Sequence, residues 1–285
     1  METRRTTRPD AVGVVGAGTI GRSVAIAFAA AGWSAVLVDS DAAVVEATSA
    51  CIDEEVRMLR LLGKGEISAD LRKDVRVTSE LSALSSVRLI VENITEDVEA
   101  KLAVHMDIDT IIGPDAVVAC NTSVIPIHVL AAAYAHPERV VGIHFMNPVA
   151  AARAAEVIPH SGTSDATLEA ASAAVTALGQ VPVIVRDLPG FVVNRILMAV
   201  INEAARLIDD GVAAGTIDQA FRSCLGHSMG PCETGDLIGL DTIVASLRML
   251  QQFFPDRAAM FEPSPKLLSL VADGRRGRKD GGGFY

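Results

Sequence analysis

The sequence predicts an α/β fold, with a parallel sheet in its first part followed by a mainly α-helical C-terminal domain. Three observations carry this expectation. From Ala11 to about Arg186, short apolar runs alternate with helical patterns. The runs are continuously apolar, as in strands covered on both faces by crossover helices. After Arg186 the strand signals stop, and apolar residues recur at helical spacing instead.

In order, the strand candidates are "AVGVVGAG", "SAVLVD", "LIVEN", "AVVACNTS", "VVGIHF" and "VPVIVRD", and a further strand begins at Glu156 in "AAEVIP". Pro and Gly break the pattern in "RDLPG", residues 186–190. The expected domains are therefore 1–186 and 187–285. In the second, Val193, Ile196, Leu197, Val200, Ile201, Ala204, Leu207 and Ile208 mark one helix, which Gly211 closes. "DTIVASLRMLQQFF" reads as another amphipathic helix, and no internal repeat is visible.

Half of the 285 residues are apolar, enough for a sizeable core, but aromatics are only 4%. That core must be built of Ala, Val, Leu and Ile. The net charge of −10 argues against a broad nucleic-acid surface, which needs a basic face. An anionic small ligand stays compatible, because a helix N-terminus can hold one. Cys51, Cys120, Cys224 and Cys232 form no C-x-x-C pair and read as reduced thiols. Cys224, His227 and Cys232 match no zinc spacing, so no metal is expected. No apolar run reaches the ~18 residues that a membrane helix needs. The start, "METRRTTRPD", lacks the apolar segment of a secretory signal and reads as a short disordered tail on a soluble, cytoplasmic protein.

The first chemical motif is "VGVVGAGTIG", in which Gly16, Gly18 and Gly21 follow a strand and open an Ala-rich helix. Gly16 permits a tight turn, Gly18 lets the backbone approach a pyrophosphate, and Gly21 lets helix and strand pack closely. The helix N-terminus offers free N–H groups and a positive dipole end to the phosphates. About 20 residues further on, a second strand ends in Asp39, as the Rossmann fingerprint requires. Its carboxylate can accept both ribose hydroxyls and would repel a 2′-phosphate. With Ser40 and Asp41 following and no Arg, NAD is expected rather than NADP. The loop residues Gly16, Ala17, Gly18, Thr19, Ile20 and Gly21, with Asp39, are the candidate cofactor contacts.

The second motif is a set of polar residues at strand ends, where open α/β sheets bind ligands. "AVVACNTS" places Asn121, Thr122 and Ser123 at one end, "VVGIHFMNP" places His144 and Asn147 at another, and Glu156 begins a further strand. Each alone has a structural explanation, as a capping Ser or a surface carboxylate does. Together they offer what oxidation of an alcohol needs. His suits a general base near neutral pH, a carboxylate fixes its tautomer, and donors hold the reacting oxygen. His105, His128, His136 and His160 have no partner pattern, and His227 lies in a turn.

With these motifs, "DLPGFVVNRIL", "MGP", "DLIGLDT" and "GRKDGGGFY", the chain resembles the 3-hydroxyacyl-CoA dehydrogenase family over nearly its whole length. The resemblance implies a Rossmann-like NAD-binding domain, a helical domain through which a homodimer forms, and reversible oxidation of a short 3-hydroxyacyl thioester. It makes His144 the base and Glu156 its partner. Ser123 and Asn194 would bind the reacting oxygen. Glu96, Lys101, Asn147 and Lys279 would contact NAD.

The family usually carries a bulkier segment before the Glu, whereas this chain has "VAAARAA" with Arg153. The helix after Asp39, where relatives contact the CoA nucleotide, begins acidic and has Arg57, Arg60 and Lys64 nearby. Some members resembling this chain in "VENITE" and "HFMNP" oxidise small groups such as glyceryl on an acyl carrier protein, for polyketide extender units. That carrier is acidic and needs a basic patch, for which Arg57, Arg60, Lys64 and the Arg275–Lys279 tail are candidates. A non-catalytic NAD-binding module is the remaining reading. It would be free to lose the base, yet Ser123, His144, Glu156 and Asn194 are all present.

Overall fold

The computed structural model describes residues 11–61 and 71–285. The N-terminal tail and Lys64 lie outside the described residues. The chain divides into two compact units, one ending at Asp187 and one running from Leu188 to Tyr285.

Among the described residues, the first unit is built on eight strands: β1 (Ala11–Val15), β2 (Ser34–Val38), β3 (Val75–Thr78), β4 (Leu89–Glu92), β5 (Val117–Cys120), β6 (Val140–Phe145), β7 (Ala154–Ile158) and β8 (Val181–Ile184). They pair in the order β3-β2-β1-β4-β5-β6-β7-β8. β1 to β6 are parallel to one another. The winding direction changes between β1 and β4, the switch point at which open sheets of this kind bind ligands beyond the carboxyl ends of their strands.

The sheet is mainly parallel, as expected from the sequence, but mixed at one edge, where β7 runs antiparallel to β6 and β8 is parallel to β7. The cause is the length of the connection. Only residues 146–153 separate β6 from β7, and a parallel crossover needs a dozen residues or more. The chain therefore folds back beside its own strand. β3 went unread because "VRVT" is four residues long and carries a charge.

Helices α1 (Thr19–Ala30), α2 (Ala42–Leu61), α3 (Val98–Ile111), α4 (Ile127–Ala131) and α5 (Asp165–Ala177) complete this unit. α1 is apolar on nearly every side because it is buried: Val24, Ala25, Ile26 and Phe28 have no exposed surface. They join Val12, Val14, Leu37, Ile52, Val91, Val141, Ile143 and Val157 in one aliphatic core. Phe28 also packs its ring on Trp33, with centroids 5.1 Å apart.

The second unit contains α6 (Val193–Asp209), α7 (Ala214–Leu225), α8 (Pro231–Ile238), α9 (Leu240–Phe253) and α10 (Pro265–Ala272). Its α6 buries Met198, Ile201, Ala204 and Ala205 but leaves Ile196 60% exposed. Gly211, at φ +93°, follows the end of α6. The tail, which pattern alone reads as a solvated terminus, is pinned. The Phe284 and Tyr285 amides donate to Asp236, and the Tyr285 hydroxyl donates to Asp218 at 2.7 Å. Among the described residues, no helix is long and apolar enough to cross a membrane.

Phe28 is the largest fully buried side chain of an aromatic-poor core. Phe28→Ala is expected to lower the unfolding free energy by about 3–5 kcal/mol, read as a lower midpoint in urea denaturation.

Candidate active site

β1 ends at Val15 and turns at Gly16, whose φ of +97° favours glycine. A Cβ at Gly21 would collide with the Gly16 carbonyl oxygen, so only glycine lets α1 start this close to the strand. Gly18 differs: a Cβ there would meet nothing within 4 Å. It is the N-cap of α1 and gives no side-chain cap. The open backbone cradle and helix N-terminus fit a pyrophosphate. Thr19 and Ile20 form the first turn, Thr19 exposed and Ile20 half-buried. Asp39 is held beside the loop, accepting from the Ala17 amide at 2.8 Å and the Asp41 amide at 3.0 Å. The Arg22 guanidinium braces the same loop, donating to the Ala17 carbonyl at 2.9 Å and pairing with Glu55 on α2. These groups together fit NAD.

The carboxyl ends of β4, β5 and β6 are fastened by side chains. The Asn121 amide donates to Asn93 Oδ1 at 2.6 Å, and its own oxygen accepts from the Phe145 amide at 3.2 Å. Glu96 Oε1 accepts three donors: the Thr122 hydroxyl at 2.6 Å and the amides of Ser123 and Val124, both at 2.8 Å. Glu96 thus shapes the loop after β5 and aims Ser123.

His144 is the fifth residue of β6 and stands directly opposite Glu156 in the antiparallel register. Its Nδ1 lies 2.8 Å from Glu156 Oε2, and its Nε2 lies 3.2 Å from Ser123 Oγ. The imidazole and the carboxylate are 5% and 3% exposed, so the contact is nearly dry and electrostatically strong. If Glu156 accepts from Nδ1–H, Nε2 is left as the base, facing the Ser123 hydroxyl. This arrangement can take a proton from an alcohol and hold it.

The other expected residues are placed as follows. Asn147 is exposed in the turn after β6. Asn194 lies in the first turn of α6, in the C-terminal unit. Lys279, in the same unit, has its ammonium 2.7 Å from both Asp241 oxygens. Lys101 has no exposed surface. Its ammonium lies 2.7 and 3.0 Å from the Glu92 oxygens and 3.9 Å from Glu96 Oε2.

Glu92, Asn93, His105 and Tyr134 were missed as parts of this surrounding framework. Lys101, His105 and Ile108 are the buried positions of α3, and their i, i+4, i+7 spacing is legible in sequence. Only the strand-end Glu92, with which two of them pair, gives that polar stripe a meaning. Burial works against the charge of Glu92, but the His105 hydrogen bond and the Lys101 ammonium outweigh it and hold its carboxyl below the usual range.

The model of the 3-hydroxyacyl-CoA dehydrogenase NAD-binding domain matches residues 11–188, and that of the family's C-terminal domain matches residues 190–285. The chain belongs to the 3-hydroxyacyl-CoA dehydrogenase family. It is an NAD-dependent oxidoreductase acting on a CH–OH group. A relative described as a probable 3-hydroxybutyryl-CoA dehydrogenase of Deinococcus radiodurans is 36% identical, over 96% of this chain and 98% of that protein. The crystal structure of Mycobacterium tuberculosis FadB2 has a TM-score of 0.91 at 33% identity, covering 98% of this chain and 99% of that one. The (S)-3-hydroxybutyryl-CoA dehydrogenase of Ralstonia eutropha has a TM-score of 0.88 at 35% identity, covering 97% and 98%.

The folded pKa of Glu92 lies below its unfolded value of about 4.5. The stabilisation is therefore complete above that value and is lost as the pH falls through the folded one. The unfolding free energy is expected to decline below about pH 4.5. Glu92→Gln is expected to lower stability at pH 7 by about 3–5 kcal/mol and to flatten the acid limb in denaturation curves.

Proposed function

We propose that this chain oxidises the 3-hydroxyl of a short 3-hydroxyacyl-CoA with NAD, reversibly. The observation that carries the reading is the His144–Glu156 contact of 2.8 Å, with Ser123 Oγ 3.2 Å from Nε2 of the same imidazole. It lies at the sheet edge that also bears the glycine loop. NAD, when bound, supplies the acceptor for the hydride leaving C3. His144 Nε2 takes the hydroxyl proton. Glu156 fixes the Nδ1–H tautomer and stabilises the imidazolium that forms. Ser123 and Asn194 orient the oxygen as it becomes a carbonyl. In the reverse direction, protonated His144 is the acid. Glu96, Asn147 and Lys279 serve the cofactor, Glu96 through the loop it organises and Lys101 from beneath.

The relatives described as 3-hydroxybutyryl-CoA dehydrogenases support a four-carbon acyl group. CoA is preferred to an acyl carrier protein on electrostatic grounds. An acidic carrier needs unpaired cations for docking. Among the candidates, Arg57 pairs with Glu54, Arg276 with Asp280 and Lys279 with Asp241. Each of these three cations has its own carboxylate neighbour. A cytoplasmic homodimer completes the proposal, supported by the exposed Ile196 and Met260 of the C-terminal unit.

The test is NADH consumption with acetoacetyl-CoA, beside NAD reduction with 3-hydroxybutyryl and glyceryl groups on an acyl carrier protein. Turnover on the CoA substrate is expected, and turnover on the carrier protein alone would overturn the choice of CoA. His144→Ala is expected to lose about 10²–10⁴-fold in kcat while NADH still binds. Unchanged turnover would remove His144 from the mechanism.

A further inference from the structure

We infer that His105, together with Tyr134, is a positioning residue for this reaction, holding Glu92 and Lys101 beneath the two loops that carry Glu96 and Ser123. The inference rests on the dehydrogenase reading above.

The groups form one sealed cluster. Lys101 and His105 stand one turn apart on the inner face of α3, and they and Glu92 have no exposed surface. His105 Nε2 lies 3.2 Å from Glu92 Oε2 and 3.6 Å from Cys120 Sγ, and Nδ1 lies 2.7 Å from the Tyr134 hydroxyl. Tyr134 is itself held. Arg139 places its guanidinium 5.8 Å from the centre of the ring and pairs with Asp109 of α3. Asp109 also accepts from the Ala135 amide.

The partners assign the tautomer. Burial pushes the Tyr134 hydroxyl far above its ordinary range, so it keeps its proton and donates. Nδ1 is the acceptor 2.7 Å away. The imidazole hydrogen is then on Nε2, directed at Glu92. Burial likewise keeps the Cys120 thiol protonated. The imidazole so arranged lies beside Glu92, whose partner ammonium of Lys101 is also 3.9 Å from Glu96 Oε2. A hydrogen on Nδ1 would instead face the Tyr134 proton.

From Glu92 the chain of contacts reaches the reacting groups. Glu92 Oε1 accepts from the Ile94 amide at 2.6 Å and from Lys101 at 2.7 Å. The same ammonium reaches the Ile94 carbonyl at 3.2 Å and the Asn121 carbonyl at 3.4 Å. Both strand-end loops, after β4 and after β5, hang on this one cation. Between them Glu96 fastens the Ser123 amide at 2.8 Å, and Ser123 Oγ lies 3.2 Å from His144 Nε2. Without the His105 N–H, Glu92 Oε2 keeps only the Lys101 ammonium at 3.0 Å, and the carboxylate is no longer held from the His105 side. Lys101, both loops and the Ser123 hydroxyl then lose their fixed places.

The experiment combines imidazole ¹⁵N spectra of the full-length protein with kinetics of His105→Phe, His105→Gln and Tyr134→Phe. The His105 signal, assigned by its absence from His105→Phe, is expected to show a neutral ring protonated at Nε2. His105→Phe is expected to lower kcat about tenfold, with a smaller change in the KM for acetoacetyl-CoA, because the loss is one of alignment. His105→Gln keeps an amide donor for Glu92 and is expected to recover most of that kcat. Should His105→Phe not fold, Tyr134→Phe removes only one hydroxyl and is expected to lower kcat about threefold and to loosen the Nε2 preference. An Nδ1–H or doubly protonated ring would overturn the inference. So would wild-type kcat in whichever of His105→Phe and Tyr134→Phe folds. A wild-type protein without turnover would instead overturn the proposed function, and the ring spectrum would still judge the arrangement of His105.

Discussion

The reversal of the chain between β6 and β7 is the constraint on which the rest of the site depends. It makes His144 and Glu156 direct neighbours across an antiparallel ladder, flanked by the register pairs Ile143–Val157 and Phe145–Ala155. Directly opposed side chains on one face of such a ladder lie within about 5.5 Å at Cβ. A slip of one residue would send Glu156 to the opposite face. The dyad is thus aligned by backbone hydrogen bonds rather than by a flexible loop. The small Ala154 and Ala155 before Glu156 let this short strand enter the sheet beside the imidazole.

Around this dyad the parallel strands contribute their carboxyl ends, and the fold binds those ends to one another with polar side chains. Asn93 joins Asn121, Asn121 reaches the backbone of Phe145, and Glu96 gathers three donors of the 122–124 loop. Beneath them lies the Glu92–Lys101 pair. A buried ion pair is a poor source of net stability, since desolvation offsets most of the attraction. Its value here is geometric: one ammonium serves two carboxylate oxygens and two carbonyls at once. The C-terminal unit uses the same device, with buried Asp218 and Asp236 collecting amide donors and the hydroxyl of the final Tyr285.

Much of this was legible in sequence where chemistry and spacing coincide. The glycine trio and Asp39 stand out because a turn, a close approach and a ribose each demand a particular residue type at a particular place. His144 and Glu156 are visible as the one imidazole and the one carboxylate of an otherwise alanine-rich stretch. Their antiparallel meeting is not visible, because strand direction depends on the length of the connection and on pairing partners, not on the residues of β7 itself. β3 escapes notice for want of an apolar run. His105 reads as a helix residue without a partner, since Glu92 and Tyr134 approach it only through the tertiary fold. Lys101 is recognisable by motif, yet its complete burial is a property of α3 lying against β4 and β5. The tail reads as a solvated segment because its anchors, Asp218, Asp236 and Asp241, lie far from it in the chain.

The central claim is that the Glu156 carboxylate holds His144 ready for proton transfer. The most direct test is single-turnover stopped flow with saturating NADH and acetoacetyl-CoA, comparing the wild type with Glu156→Gln. The amide keeps the size of the side chain but removes the charge that stabilises the imidazolium. The observed step is expected to slow by about 10²-fold or more, with NADH affinity unchanged. A step as fast as in the wild type would contradict it.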